Sequence, residues 1–164
     1  MIKLLVFDVD GCMTNGSITY SNDGNEYKSF NVKDGLAIAS WIKMGQKCAI
    51  ITGRSSKIVE KRAKELGINY LFQGVKNKID RLNKILVDEK ITYKNVAVIG
   101  DDLNDYDMLK SAAWSFAPQD GSAFVREIVD TILDAKGGEG AIREMIEKIL
   151  KKEDRVEELL KLWL

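Results

Sequence analysis

The sequence predicts an α/β fold with a mainly parallel central sheet. Two observations carry this: short apolar runs bounded by turn residues alternate with longer segments of helical periodicity, and the first run ends in aspartates at its carboxyl end. The runs read in order as a strand over KLLVFD, a helix over 34–44, the strand CAIIT, a helix over 55–66, a short YLF, a helix over 78–89 and the strand VAVIG. A helix over 104–111, a short WSFA strand, a helix over 121–128, the strand TIL and a helix from about 140 follow. In that last helix Ile142, Met145, Ile146, Ile149 and Leu150 keep helical spacing. One piece interrupts the alternation. Residues 16–31 alternate weakly about Asn22, Asp23 and Gly24, the turn chemistry of a β-hairpin inserted after the first strand.

The 164 residues fit one domain, 1–164, that buries about two-thirds of its unfolded surface without disulfides or zinc. The 25 Lys+Arg balance 25 Asp+Glu, so net charge draws the chain to neither nucleic acid nor an anionic membrane. The two cysteines, Cys12 and Cys48, sit in apolar runs and read as buried reduced thiols. Residues 1–10 read as a core strand carrying aspartates, not as a leader, and no apolar run has the length of a membrane span, so a soluble chain is expected, and the reduced cysteines predict a cytoplasmic location. With no histidine, Ser-His and Cys-His pairs and imidazole metal ligands are excluded.

Four strand ends carry polar groups. Asp8 and Asp10 are one residue apart before a glycine turn, and two carboxylates there are tolerable only if a cation or strong donors meet them. Thr52, Gly53 and Arg54 follow a buried strand, where a hydroxyl and free N–H groups can hold an anion; Ser55 or Ser56 capping the next helix is the bland alternative. Lys78 starts a helix, where macrodipole and ammonium together favour a phosphate. Asp101, Asp102 and Asp105 follow VAVIG, and with the first pair they make an oxygen-rich set suited to Mg²⁺.

In this order the four blocks resemble the four motifs of the haloacid dehalogenase-like phosphohydrolases. The hairpin after DVDG, the stretch FNVKDG, then ITGR, QGVKNK, GDDLND and GGEGAIREM resemble the capless 3-deoxy-D-manno-octulosonate 8-phosphate phosphatases over residues 1 to about 150. The resemblance implies a Rossmann-like three-layer core without a cap domain, Mg²⁺, a homotetramer joined partly through the hairpins, and a phosphorylated sugar acid of lipopolysaccharide synthesis as substrate. On that reading Asp8 attacks phosphorus to give an aspartyl-phosphate, while Asp10 protonates the leaving alkoxide and then deprotonates the hydrolytic water. A carboxylate about 4 Å from a phosphate dianion is repelled by about 8 kcal/mol at an effective dielectric near 20, which the metal and Lys78 offset. The resemblance assigns the metal to Asp8, the Asp10 carbonyl and Asp101, with Asp102 and Asp105 supporting from behind or through water, and the phosphoryl oxygens to Thr52 and Lys78.

Without a cap, the sugar falls to the hairpin, to Arg54, and to Lys33 and Asp34 at the start of the first helix. Arginine binds a sugar-acid carboxylate bidentately, and relatives acting on a nonulosonate 9-phosphate carry glutamate after the Thr-Gly pair, so Arg54 favours the eight-carbon ester. Arg143 also matches the family, with a surface or capping role as the alternative. In the tail, about 152–164, Val156, Leu159, Leu160 and Trp163 form a helical stripe that packs on the core or in a subunit interface. Two other classes compete: a receiver-type phosphoacceptor domain, opposed by the DxD spacing and GDDxxD, and a non-catalytic phosphatase-like regulatory domain, expected to lack a motif residue. No motif residue is lacking here.

Overall fold

The computed structural model describes residues 1–164. Six parallel strands form the central sheet in the order β5-β4-β1-β6-β7-β8: β1 (Leu4–Phe7), β4 (Lys47–Ile51), β5 (Tyr70–Phe72), β6 (Val96–Ile99), β7 (Trp114–Ala117) and β8 (Thr131–Ile132). The chain runs outward from β1 to β5 on one side, then returns to β6 and runs outward to β8 on the other. The strand order therefore reverses between β1 and β6, and crevices at such a point, beyond the carboxyl ends of the strands, are where open α/β sheets bind ligands.

Alternation along β1 explains why both faces are covered. Leu5 and Phe7 enter one core with Ile38 and Trp41 of α1 (Val32–Lys43), Val59 of α2 (Lys57–Leu66) and Ile142 and Ile149 of α6 (Ala141–Lys152). Leu4 and Val6 enter a second core with Leu82 and Ile85 of α3 (Lys78–Glu89), Met108 of α4 (Tyr106–Ser111) and Val125 of α5 (Ala123–Arg126). Each such aliphatic side chain contributes about 1.5–3 kcal/mol by leaving water. The three-layer arrangement expected from the sequence is present, and no cap domain intervenes.

Helix starts follow their caps. Asn31 accepts from the N–H groups of Lys33 (2.8 Å) and Asp34 (3.3 Å), so α1 begins two residues before the expected 34. Ser56, not Ser55, caps α2 by accepting from Ile58 N–H at 3.2 Å. The helix expected over 121–128 is the single turn 123–126, because Ile128 N–H closes onto Val125 at 3.1 Å and tightens the chain. The hairpin is smaller than its 16–31 span, with two-residue strands β2 (Thr19–Tyr20) and β3 (Glu26–Tyr27) joined through Ser21–Asn25. After α6 the tail forms α7 (Val156–Leu160), whose Val156 and Leu159 pack on the first core.

Candidate active site

Beyond the carboxyl ends of β1, β4 and β6 lies an open cleft of about 380 Å³ lined by Asp8, Asp10, Thr52, Gly53, Arg54 and residues 101–104. A larger cleft of about 440 Å³ lies at the amino ends of the strands, between Ile2 and Trp114. Its charged groups are already engaged: Asp130 accepts from Ser115, Glu153 from Ile2 N–H, and Lys152 lies over the Trp114 ring. Size therefore does not decide the site, and the convergence of several carboxylates on one crevice does.

Asp8 extends the β1 ladder by one bond, its N–H donating to Ile99 O at 3.2 Å, and the chain then turns away. Gly11 makes the turn at φ +96°, and a Cβ there would lie 2.1 Å from Asp101 Oδ2. Only glycine lets the first acidic motif press against the second. Behind this loop, Gly138 N–H donates to Cys12 O at 3.0 Å, and a Cβ on Gly137 would strike the Gly11 carbonyl at 1.8 Å. The late GGEG segment is thus the brace of the Asp8–Asp10 loop.

Lys78 is the first residue of α3, and its side chain is 1% exposed. Its ammonium donates to Asp8 Oδ1 at 2.7 Å and to Asp105 Oδ1 at 2.6 Å, while Asp105 Oδ2 accepts from Asp101 N–H at 3.1 Å. Burial opposes the charge on Lys78, but Asp105 and Asp8 outweigh it and raise its pKa above the ordinary lysine value. Burial and the Asp8 charge push Asp105 up to about 6, with Lys78 opposing. Burial, then Asp8, Asp105 and Asp102, push Asp101 up to about 8.

Oxygens of Asp8 and Asp101 and the Cys12 sulfur lie within 4.8 Å of one another. Burial first, then the carboxylates, raise the Cys12 thiol well above its ordinary range, and sulfur is a soft partner for a hard cation. What remains is a hard, oxygen-donor set carrying excess negative charge, which fits Mg²⁺.

Of the other candidate residues, Thr52 is buried beside Asp8 in the cleft wall. Asp102 is exposed and caps a short turn by accepting from Leu103 N–H at 2.8 Å. Asp105 is fully buried, and its carboxylate is taken up by Lys78 and the Asp101 amide. Lys33, Asp34 and Arg143 do not line the cleft. Asp34 is buried and accepts from Arg143 N–H at 2.8 Å, fixing the start of α6, and Arg143 pairs with Glu147 on its own helix.

Sequence reasoning passed over Lys28, Glu26 and Asn104. Arg54 is bonded to Glu26 (3.1 Å) and Tyr20 (3.4 Å) of the hairpin; Lys28 bridges Glu26 (3.3 Å) and Asp10. The available signal was that Glu26 and Lys28 alternate on one face of a strand beside the acidic motif. Nothing in the sequence says that this face turns inward. Asn104 lies within a motif already singled out, two residues after Asp102.

A family model of haloacid dehalogenase-like hydrolases matches residues 71–146. The 3-deoxy-D-manno-octulosonate 8-phosphate phosphatase KdsC of Escherichia coli K12 is 38% identical over 157 residues, spanning 96% of this chain and 84% of that protein. The crystal structure of the Yersinia pestis phosphatase of that name superposes with a TM-score of 0.93 at 39% identity, covering 95% of this chain and 84% of that one. The Moraxella catarrhalis phosphatase, solved with magnesium ion, phosphate ion and KDO, superposes with a TM-score of 0.95 at 38% identity over 99% of this chain and 94% of that one. With all four motifs in order at one crevice, the chain belongs to the 3-deoxy-D-manno-octulosonate 8-phosphate phosphatase family of haloacid dehalogenase-like hydrolases.

Proposed function

We propose that the chain, as one domain, hydrolyses 3-deoxy-D-manno-octulosonate 8-phosphate to the free sugar acid and phosphate. The observation that carries this reading is the buried Asp8 carboxylate, held at 2.7 Å by Lys78, in a cleft it shares with Asp10 and Thr52. The Moraxella structure, which holds KDO and phosphate, supports the substrate.

Asp8 attacks phosphorus, forming the Asp8 O–P bond as the bond from phosphorus to the sugar oxygen breaks. Asp10 gives its proton to the departing alkoxide, then takes one from the water that cleaves the acyl-phosphate. Lys78 and Thr52 hold phosphoryl oxygens; Asp105 aims Lys78. Asp8, the Asp10 carbonyl and Asp101 hold Mg²⁺, with Asp102 and Asp105 outside them. Bound there, the metal offsets the repulsion between Asp8 and the phosphate. Arg54 takes the sugar carboxylate, which then displaces Glu26 from it. The leaving group carries a primary alkoxide that departs badly without a proton, so Asp10 matters most in the first step.

Exposed Ile18, Tyr20 and Tyr27 give the hairpin an apolar surface that supports assembly into a homotetramer. Free buried cysteines support a cytoplasmic location. No helix is long and apolar enough to cross a membrane.

The test is phosphate release from the octulosonate 8-phosphate and a nonulosonate 9-phosphate side by side, with Mg²⁺ and with chelator, and Asp8→Asn as blank. Mg²⁺-dependent preference for the eight-carbon ester is expected. Preference for the nine-carbon ester overturns the reading of Arg54, and release no faster than the blank overturns the proposed activity.

A further inference from the structure

We propose that Lys28 is a positioning residue for Asp10, the hairpin's contribution to leaving-group protonation. This rests on the assignment of Asp10 as proton donor. Lys28 follows directly on a two-residue strand of a surface hairpin, yet its side chain is 1% exposed. A lysine that buries its ammonium in so slight an element gives up hydration that only specific partners replace. Those partners are Asp10 Oδ1 and Glu26 Oε1, and Glu26 is itself held by Arg54. Lys28 is the only hydrogen-bond partner of the Asp10 carboxylate.

The consequence is geometric. Asp10 lies on the loop just before Gly11, where no ladder bond fixes its direction, and its side chain has two free torsions. Asp8 is aimed by Lys78 from the core; Asp10 has only Lys28, from the opposite wall of the cleft. An acid misplaced by about 1 Å costs on the order of 100-fold in rate. In the step concerned, the phosphorus–oxygen bond to the leaving group breaks as the Asp8 O–P bond forms, and a proton that Asp10 has taken up from solvent on its other oxygen passes to the leaving oxygen while Lys28 holds Oδ1. A nitrophenolate departs without that proton, whereas a primary alkoxide does not.

The experiment compares kcat/KM, which reports the steps up to departure of the leaving group, for the octulosonate 8-phosphate and p-nitrophenyl phosphate. The full chain is used with Mg²⁺, as wild type, Lys28→Met and Lys28→Arg. Lys28→Met should lose about 10- to 100-fold on the alkyl ester and less than about threefold on the aryl ester, with Lys28→Arg recovering most of the loss. Equal loss on both esters, or no loss on either, overturns the proposal. A crystal structure of Lys28→Met supplies a readout independent of turnover. Rotation or disorder of the Asp10 carboxylate is expected, and a carboxylate that stays ordered in place overturns the positioning role. If the wild type does not hydrolyse the sugar ester, the proposed function fails, and the crystallographic result still decides what Lys28 does.

Discussion

The two walls of the cleft hold their charges in different ways. On the sheet side, Lys78 and Asp105 are buried, and with Asp8 they join a helix start and two strand ends through bonds of 2.6–2.7 Å. On the hairpin side, Arg54, Glu26, Lys28 and Asp10 form a chain of ion pairs anchored in two-residue strands, and the Arg54 side chain is 44% exposed. The sheet side is built before any ligand arrives, at the cost of concentrating carboxylates that push Asp101 up to about 8. On the hairpin side the half-exposed Arg54–Glu26 pair is weak and can be traded for contacts with a substrate, whereas the Lys28 side chain of the Lys28–Asp10 pair is buried. On the proposed mechanism the sheet side holds preformed chemistry, and the exchangeable part of the hairpin side is the Arg54–Glu26 pair.

Asp10 stands where the walls meet, so its replacement has the largest expected effect. Asp10→Asn should lower phosphate release from the sugar ester by about 100- to 10,000-fold, with the loss mainly in kcat. A loss confined to KM would move Asp10 to the recognition wall. Arg54→Ala is the opposite case. Removing a charge-assisted contact to the sugar carboxylate should raise KM by about 10- to 100-fold and leave kcat within a few-fold. A matching fall in kcat would show that the hairpin side is no less rigid than the sheet side.

The smallest effect is on stability. Burial and neighbouring carboxylates raise Asp101 to about 8 and Asp105 to about 6, and burial raises Asp34 to about 6. A carboxyl raised in the folded state keeps its proton where the unfolded chain has lost it. The contribution of these groups to metal-free stability falls as pH rises, through about 4 to 6 for all three and from about 6 to 8 for Asp101 alone. With chelator, Tm should fall between pH 6 and 8 by several degrees, at about 2–4 °C per kcal/mol for a chain of this size. With Mg²⁺ that fall should flatten, because the cation favours ionised Asp101. An equal fall in both conditions would place the titration away from the metal donors.

The same contrast governs what was legible in the sequence. Strands 70–72 and 114–117 and the helix 78–89 appear at their expected bounds, because apolar period and flanking turns act locally there. Asp8, Thr52 and Asp101 were legible as strand-end groups, since a buried strand commits the residues just after it to the crevice, and Lys78 was legible as a cation at a helix start. Lys28 was not, because charges at alternate positions of a weak hairpin ordinarily face water. Asp34 and Arg143 sit in recognisable stretches, yet Asp34 is turned to the backbone of α6, a tertiary contact 109 residues away that no local pattern reports.

On the proposed mechanism Asp8 carries the phosphoryl group during turnover. Rapid acid quench of the Mg²⁺-loaded chain with the octulosonate 8-phosphate, followed by borohydride reduction and peptide mass analysis, reads this directly. An acyl-phosphate on Asp8 is reduced to homoserine, so conversion at position 8, and none in Asp8→Asn, is the expected result. Full turnover with position 8 unmodified would contradict it.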